Sequence, residues 1–435
     1  MKIERITFLA SVVFLSFLYG FITAKVGLFP SEYITNAVRQ GRAIFDNVWG
    51  KPSHLFPAVY DYSGVRVLDS DSIHPGVTLL TTFLPELDWR PGIILIDKAG
   101  ELLHLWDADP ERLWPEVKRS LRQKDYRYVH GTHLFPNGDV LFNIEFQGLV
   151  RMDACGKVKW RLDYKTHHSI ARDEDGNFWV SANVLQDDDN YLKQFPGLKP
   201  PVYEDHALLV SAEGEILRDI NLVEVVYKNE LQRYIPKISK QRQGDIFHLN
   251  DIEALSSDIA KDYPLFEAGD IVVSLRYMHT VLVLDPDTKV VKWHTSDLTI
   301  EQHDPDFTGD GWITIFDNNA NFSSRGEMLG GSRILSVRPH TGETAIIYPT
   351  VASDPFYTRT GGKWQMLSNG NILVTEARAG RVFEASPDGR TVWEWVHMRY
   401  DETMVPEVLE GTRYEFTPDD VAKWPCGPSQ QKTLN

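Results

Sequence analysis

Cysteine is nearly absent from this 435-residue chain: only Cys155 and Cys426 occur. No CxxC pair or zinc-finger Cys/His spacing can be built from them, so a structural zinc module is excluded. Two readings stay open for the pair, a disulfide or two unpaired small residues. Positive charge is short as well, with 45 Lys and Arg against 61 Asp and Glu, a net −16, and no long basic run. Nucleic acid is therefore excluded as a partner, because its phosphates demand a basic face. GxSxG, the P-loop, HExxH and a GxGxxG between strand and helix are all missing. No cofactor and no metal are expected: the run DFTGDG from Asp306 lacks the later ligands of an EF-hand, and QDDDN at 186–190 reads as a charged loop.

One long apolar run is present, ITFLASVVFLSFLYGFITA at residues 6–24. It has roughly the twenty residues needed to cross a bilayer core. Lys2 and Arg5 precede it, as suits a cytoplasmic N-terminus, while Lys25 beyond it weakens the asymmetry. The expectation is an uncleaved single-pass anchor in the inner membrane over residues 1–30, with the rest of the chain periplasmic; a cleaved signal peptide is the competing reading. Helical spacing of apolar positions follows in SEYITNAVRQGRAIFDNVW, predicting a helical linker segment within residues 31–75. With 42% hydrophobic residues the chain can bury a sizeable core.

The strongest internal signal is a repeated hairpin with a histidine held in frame. His130, His168 and His303 each lie eight residues before a turn glycine, Gly138, Gly176 and Gly311. Those glycines open GDVLFNIE, GNFWVSAN and GWITIFDN, and GDIVVSLR from Gly269 and GNILVTEA from Gly370 repeat the pattern. In an antiparallel hairpin folded about the glycine, the residue eight before and the residue seven after return to the same end. The seven-after positions are Glu145, Asn183, Arg276, Asn318 and Ala377. Residues 76–396 divide into six units of this kind, each ending in an outer hairpin that tends to carry Trp. That period predicts an all-β fold, a six-bladed β-propeller, with helical or loop insertions on one rim and a C-terminal tail, 397–435, packing on the ring. The insertions fall at Pro110–Val129, Gln186–Asp205 and Val223–Phe247.

Around a closed ring, these frames bring His130, His168, His303, Arg276 and Asn318 to one opening; a further insertion from Ser256 to Ala268 hides the offset between His248 and Gly269 in that copy, and Asn250, two beyond His248, points the same way as His248 in an extended segment. A single strand-end histidine is more often a structural residue than a functional one. Recurrence in register shifts that balance, since Thr, Val or Ser would pack a blade's inner strand equally well, and the last unit has GKW from Gly362 instead. The planar fork of Arg276 suits an oxyanion, the plainer alternative being a salt bridge to Glu145 or another carboxylate.

With HLND from His248, SLR from Ser274, QHD from Gln302 and HHS from His167, the chain resembles the bacterial arylsulfotransferases over its six-unit region. The resemblance implies a six-bladed propeller that moves a sulfuryl group from an aryl sulfate to a phenol without a nucleotide sulfate donor (PAPS). It also implies roles by motif position: His303 as nucleophile forming a sulfohistidine, His248 with Asn250 as the His-x-Asn pair, Arg276 gripping sulfate, and His168 as the remaining channel histidine. His130 and Asn318 are expected among the substrate-binding residues without an inherited role. Well-studied members of the family carry a separate N-terminal β-domain and a cleaved signal, which this chain replaces with a short helical stretch. A membrane-anchored binding or scaffold propeller, or a hydrolase on the same fold, are the alternatives.

Overall fold

The computed structural model describes residues 2–26, 54–117, 128–235, 244–321 and 323–426. The chain forms two compact units, 1–53 with 118–125, and 54–117 with 126–435. In the first, the described element is the α-helix Lys2–Val26. It is the one helix among the described residues long and apolar enough to cross a membrane. The hydroxyls of Thr7 and Ser11 donate to the carbonyls of Ile3 and Thr7, at 3.0 and 2.9 Å, so the polar groups in this apolar helix satisfy themselves. The helix expected after it, within 31–49, lies outside the described residues.

The second unit is a propeller of six antiparallel sheets. Blade 2 runs through Val129–Leu134, Val140–Ile144, Gly148–Met152 and Val158–Leu162. Blades 3, 4 and 5 repeat the order from Thr166, Leu249 and His303. Blade 6 begins at Lys363 and takes an extra outer strand, Gly64–Val67, against Thr391–Val396. The second strands are largely buried runs, such as Ile271–Leu275, because neighbouring blades cover both of their faces. The repeated glycines take the left-handed conformation that their turns require; Gly138, at φ 81°, also lies so close to Trp424 that an added Cβ would come within 2.6 Å of the indole.

Blade 1 is assembled from both ends of the unit. Its strands Val77–Leu84, Arg90–Ile96 and Leu102–Asp107 receive their innermost neighbour from the tail, Glu410–Tyr414, with Gly411 opposite Leu80. Arg413 on that strand donates through Nε to Thr78 Oγ1 at 3.0 Å and pairs with Glu384 of blade 6 at 3.2 Å, all buried. The tail continues to Trp424, whose indole N–H donates to the Pro136 carbonyl, and to Cys426, which is disulfide-bonded to Cys155 of blade 2 with 5.1 Å between Cα atoms. The ring is thus closed by a strand and fastened across blades 1 and 2 by a covalent staple.

Of the insertions, the one at 186–205 holds a short helix, Asp189–Leu192. The one at 223–247 begins in the helix Leu222–Lys228 and ends in a two-residue strand, Gly244–Asp245, that pairs parallel with Val202–Tyr203. That pairing delivers Asp245 to the start of blade 4.

Candidate active site

The innermost strands are irregular where the histidines stand. Pairing with the second strand slips between Val129 and Thr132, between His167 and Ile170, between Leu249 and Asp251, and between His303 and Asp306. Each slip is a bulge, which turns side chains off the sheet face toward the axis. The backbone carries the strain there: His168, His248 and Asp304 have φ of 53°, 57° and 50°, and Gly131 has 78°. An added Cβ at Gly131 would stand 2.0 Å from the His168 carbonyl oxygen, so blades 2 and 3 meet at backbone distance beside the site.

The bulges gather four imidazoles. The His168 ring centroid lies 4.3 Å from that of His130, 4.9 Å from His248 and 6.4 Å from His303. His303, His130 and Asn250 also line one cavity, together with Asp251, Asp304, Lys363 and Glu410. Arg276 stands seven after its glycine and starts a 3-10 turn, its backbone N–H donating to the His248 carbonyl at 3.2 Å. All seven residues singled out from the sequence are thus within one neighbourhood.

His303 has a defined tautomer. Its Nδ1 lies 2.6 Å from Asn318 Oδ1 and 3.1 Å from the Glu301 carbonyl, two acceptors, so Nδ1 carries the hydrogen and Nε2 keeps its lone pair. Asn318 is itself fixed, donating both Nδ2 hydrogens to the carbonyls of Thr358 and Gly361, at 2.9 and 2.7 Å. Its amide is used up behind His303 and holds the ring. Burial first, then Arg276, pushes the pKa of His303 well below 6.5.

His248 is oriented in the same manner, with Nδ1 at 2.5 Å from Asp245 Oδ2. Against burial, the charge and hydrogen bond of His248 hold the Asp245 carboxyl below its ordinary value. His168 Nδ1 contacts His167 Nδ1 at 2.9 Å, and His167 Nε2 lies 3.9 Å from Asp205. Burial pushes His130 and His167 down to about 3, and burial with the neighbouring imidazoles pushes His168 well below 6.5. Burial, Glu407 and Asp245 raise Glu145 to about 8.

Arg276 pairs with Glu301 at 2.5 Å through Nη2, while its Nε is a buried donor without a partner. The salt bridge that was the plainer alternative for Arg276 is thus present, with Glu301 and not Glu145 as the carboxylate. Asn250 donates Nδ2 to the Gln302 carbonyl at 2.7 Å and leaves Oδ1 buried and unpaired. Buried polar atoms without partners are uncommon in a finished fold, and both of these flank the histidine cluster.

A sequence model of the family described as Arylsulfotransferase (ASST) matches residues 131–399. The chain belongs to the arylsulfotransferase family. The matched stretch holds His168, His248, Asn250, Arg276, His303 and Asn318, with His130 immediately before it. No curated protein matches the chain. Among solved structures, a protein of unknown function from Bacteroides caccae is 12% identical at a TM-score of 0.45, covering 74% of this chain and 93% of that one. TolB from Acinetobacter baumannii is 12% identical at 0.41, covering 77% and 66%. A virginiamycin B lyase from Staphylococcus aureus is 11% identical at 0.36, covering 68% and 88%. At such scores these likenesses support no statement about the arylsulfotransferase reading.

Three polar residues beside the histidine cluster escaped sequence reasoning. Asp245 lies at the end of a long insertion outside every hairpin frame, though its place three residues before His248 was visible. Glu301 sits two residues before His303, and His167 is the first member of the HH doublet; neither falls on the eight-before position.

Proposed function

We propose that the protein transfers a sulfuryl group from an aryl sulfate to a phenol, through a sulfohistidine on His303 and without a nucleotide sulfate donor. The observation that carries this reading is the His303–Asn318 hydrogen bond, which leaves Nε2 as a neutral, aimed nucleophile. In the first step Nε2 attacks sulfur, the N–S bond forms, and the bond from sulfur to the aryl oxygen breaks. His248 gives the departing phenolate a proton from Nε2. In the second step His248 takes the proton of the incoming phenol, whose oxygen attacks sulfur, and the N–S bond breaks to restore His303. Splitting one displacement into two lets donor and acceptor use the same opening.

Arg276 stabilises charge on the sulfuryl oxygens, its unpaired Nε being an available donor and Glu301 setting the plane of the guanidinium. His168, His130 and Asn250 complete the pocket around the sulfuryl group. Asp245 is a positioning residue: it accepts from His248 Nδ1 and so keeps Nε2 of that ring turned to the reacting oxygen. Asn318 does the same for His303.

The propeller works outside the cytoplasm, held to the inner membrane by the helix Lys2–Val26 and facing the periplasm. A disulfide joining Cys155 to Cys426 supports an oxidising compartment. The deciding experiment incubates the full-length protein with a chromogenic aryl sulfate, with and without a phenol, and follows phenolate release and mass gain on His303. Release that requires the phenol, with a sulfuryl adduct on His303 when the phenol is withheld, is the expected result. Release that ignores the phenol would make the enzyme a hydrolase, and no release across a broad donor set would leave a binding propeller.

A further inference from the structure

We infer that His130, Glu145 and His168 form a binding site for a borderline divalent metal ion such as zinc. Each of the three offers one ligand atom, and those atoms all lie within 4.8 Å of one another. Two imidazoles and a carboxylate are a donor set that first-row divalent metals accept, with zinc bound at about 2.0–2.2 Å from each ligand.

The three side chains are not otherwise accounted for by hydrogen bonding among themselves. His168 Nδ1 is 3.9 Å from Glu145 Oε1, beyond a hydrogen bond, and the His130 and His168 rings are tilted by 42° at 4.3 Å, without stacking. Neither the His130 ring nor the Glu145 carboxyl has a hydrogen-bond partner among the described residues. Their backbones, in contrast, are tightly fixed. The Glu145 N–H donates to the Tyr128 carbonyl at 3.0 Å, Asn143 Nδ2 donates to the His168 carbonyl at 2.9 Å, and Gly131 closes against that same carbonyl. Rigid backbones presenting two unpaired side chains, those of His130 and Glu145, beside a His168 ring already oriented by His167 are what a metal site needs before its ion arrives.

His167, at 2.9 Å from His168 Nδ1 and 3.9 Å from Asp205 in its turn, supplies the outer hydrogen-bonding partner that metal-binding histidines characteristically have. Three protein ligands leave at least one coordination position open, the pattern of a site that meets substrate rather than of a structural one. The ligands come from two blades and from both strands of a hairpin, so no short Cys/His spacing could have announced them. The inference does not need sulfuryl transfer; it stands even if His303 never carries a sulfuryl group.

The test uses the full-length protein in detergent, stripped with a chelator and titrated calorimetrically with zinc chloride alone. One equivalent is expected to bind, and Glu145→Gln and His130→Asn should each weaken binding tenfold or more, since loss of an outer-sphere partner alone costs about 10–100-fold. His303→Ala should bind zinc as the wild type does. Zinc should also raise the melting temperature of the wild type and not of the variants, a readout that holds if one variant folds poorly. Absence of saturable binding by the wild type, or wild-type affinity in both variants, would overturn the site. Either result is independent of phenolate release and of mass gain on His303, which report on the transferase reading.

Discussion

Two halves of the same ring use equivalent strands differently. In blades 2 to 5 the axis-facing bulges carry His130, His168, His248 and His303, and polar atoms are left unpaired, among them Arg276 Nε and Asn250 Oδ1. In blades 6 and 1 the corresponding strands close on each other. Lys363 pairs with Glu410 at 3.1 Å, and Gln365 exchanges two hydrogen bonds with the Arg413 backbone, at 3.0 and 2.8 Å. Trp364 donates to Asp304 through both its backbone and its indole N–H. Both parts leave some buried polar atoms unpaired, Glu410 Oε2 and Arg413 Nη2 among them in the closure, but the closure's ion pairs and hydrogen bonds join the two ends of the propeller, whereas blades 2 to 5 bring four imidazoles together. Mutations in the two halves should therefore separate, with turnover lost from the first and stability from the second.

The largest effect is expected at His303. Replacement by Ala should abolish acceptor-dependent phenolate release and the mass gain on the protein, with the fold retained. The pH dependence has a definite sign. Burial and Arg276 lower the pKa of His303 well below 6.5, and the neutral ring is the nucleophile. Falling pH therefore leaves Nε2 competent through 6.5, and single-turnover sulfuryl loading should show no acid limb at the ordinary imidazole value from this residue. An acid limb at 6.5 that disappears when His303 is replaced by another nucleophile would break the assignment.

Next in size is Arg276→Ala, where loss of a donor aimed at developing charge should cost about 10²–10³ in kcat. Arg276→Lys should recover only part of it, because a point charge lacks the fork that Glu301 orients. If Glu301 serves only as a structural partner, Glu301→Gln should lower the melting temperature and leave kcat alone; a fall in kcat supports the orienting role.

Asp245→Asn is expected to cost less, on the order of a hundredfold or below, since proton transfer as a whole contributes about 10²–10⁴. Its signature is dependence on the leaving group. Donors that release weakly acidic phenols should suffer most, and donors that release strongly acidic ones should scarcely notice. A uniform loss across donors would mean that Asp245 supports the fold of the blade 4 entry and does not hold the tautomer of His248.

The ring and its cluster of histidines were legible because both repeat. Five glycine-opened hairpins gave the blades, and the eight-before offset picked out His130, His168 and His303. What escaped does not repeat. Glu410–Tyr414 pairs with residues more than three hundred positions earlier, and a pairing of that span leaves no local periodicity. Gly64–Val67 joins blade 6 for the same non-local reason, within a stretch read as helical linker. The bulges, whose slips differ from blade to blade, blurred the frame enough to hide His167. Asp245 arrives on an insertion whose length carries no repeat at all. Arg276 was found by its frame, yet its partner could not be, because Glu301 belongs to the next blade.

The smallest effect on turnover, and the cleanest test of the division between the halves, is expected from the staple. Cys155→Ser with Cys426→Ser should leave kcat unchanged while removing about 2–4 kcal/mol of stability. The bond closes a separation of 271 residues and secures the tail whose Trp424 packs beside His104 and Trp106. Loss should be accentuated in acid. Burial holds His104 and His133 down to about 4, so the stability tied to their neutral forms is present above 6.5 and is lost as pH falls toward 4. His104 Nε2 donates to the Ala154 carbonyl, one residue from Cys155, so the charge that protonation buries on this ring loosens the same corner that the disulfide fastens. Acid unfolding followed by circular dichroism should therefore begin at higher pH in the serine variant than in the wild type. A variant that unfolds at the wild-type pH would show that the closure strand alone holds the ring, and one that loses kcat at neutral pH would show that the two halves are not separable.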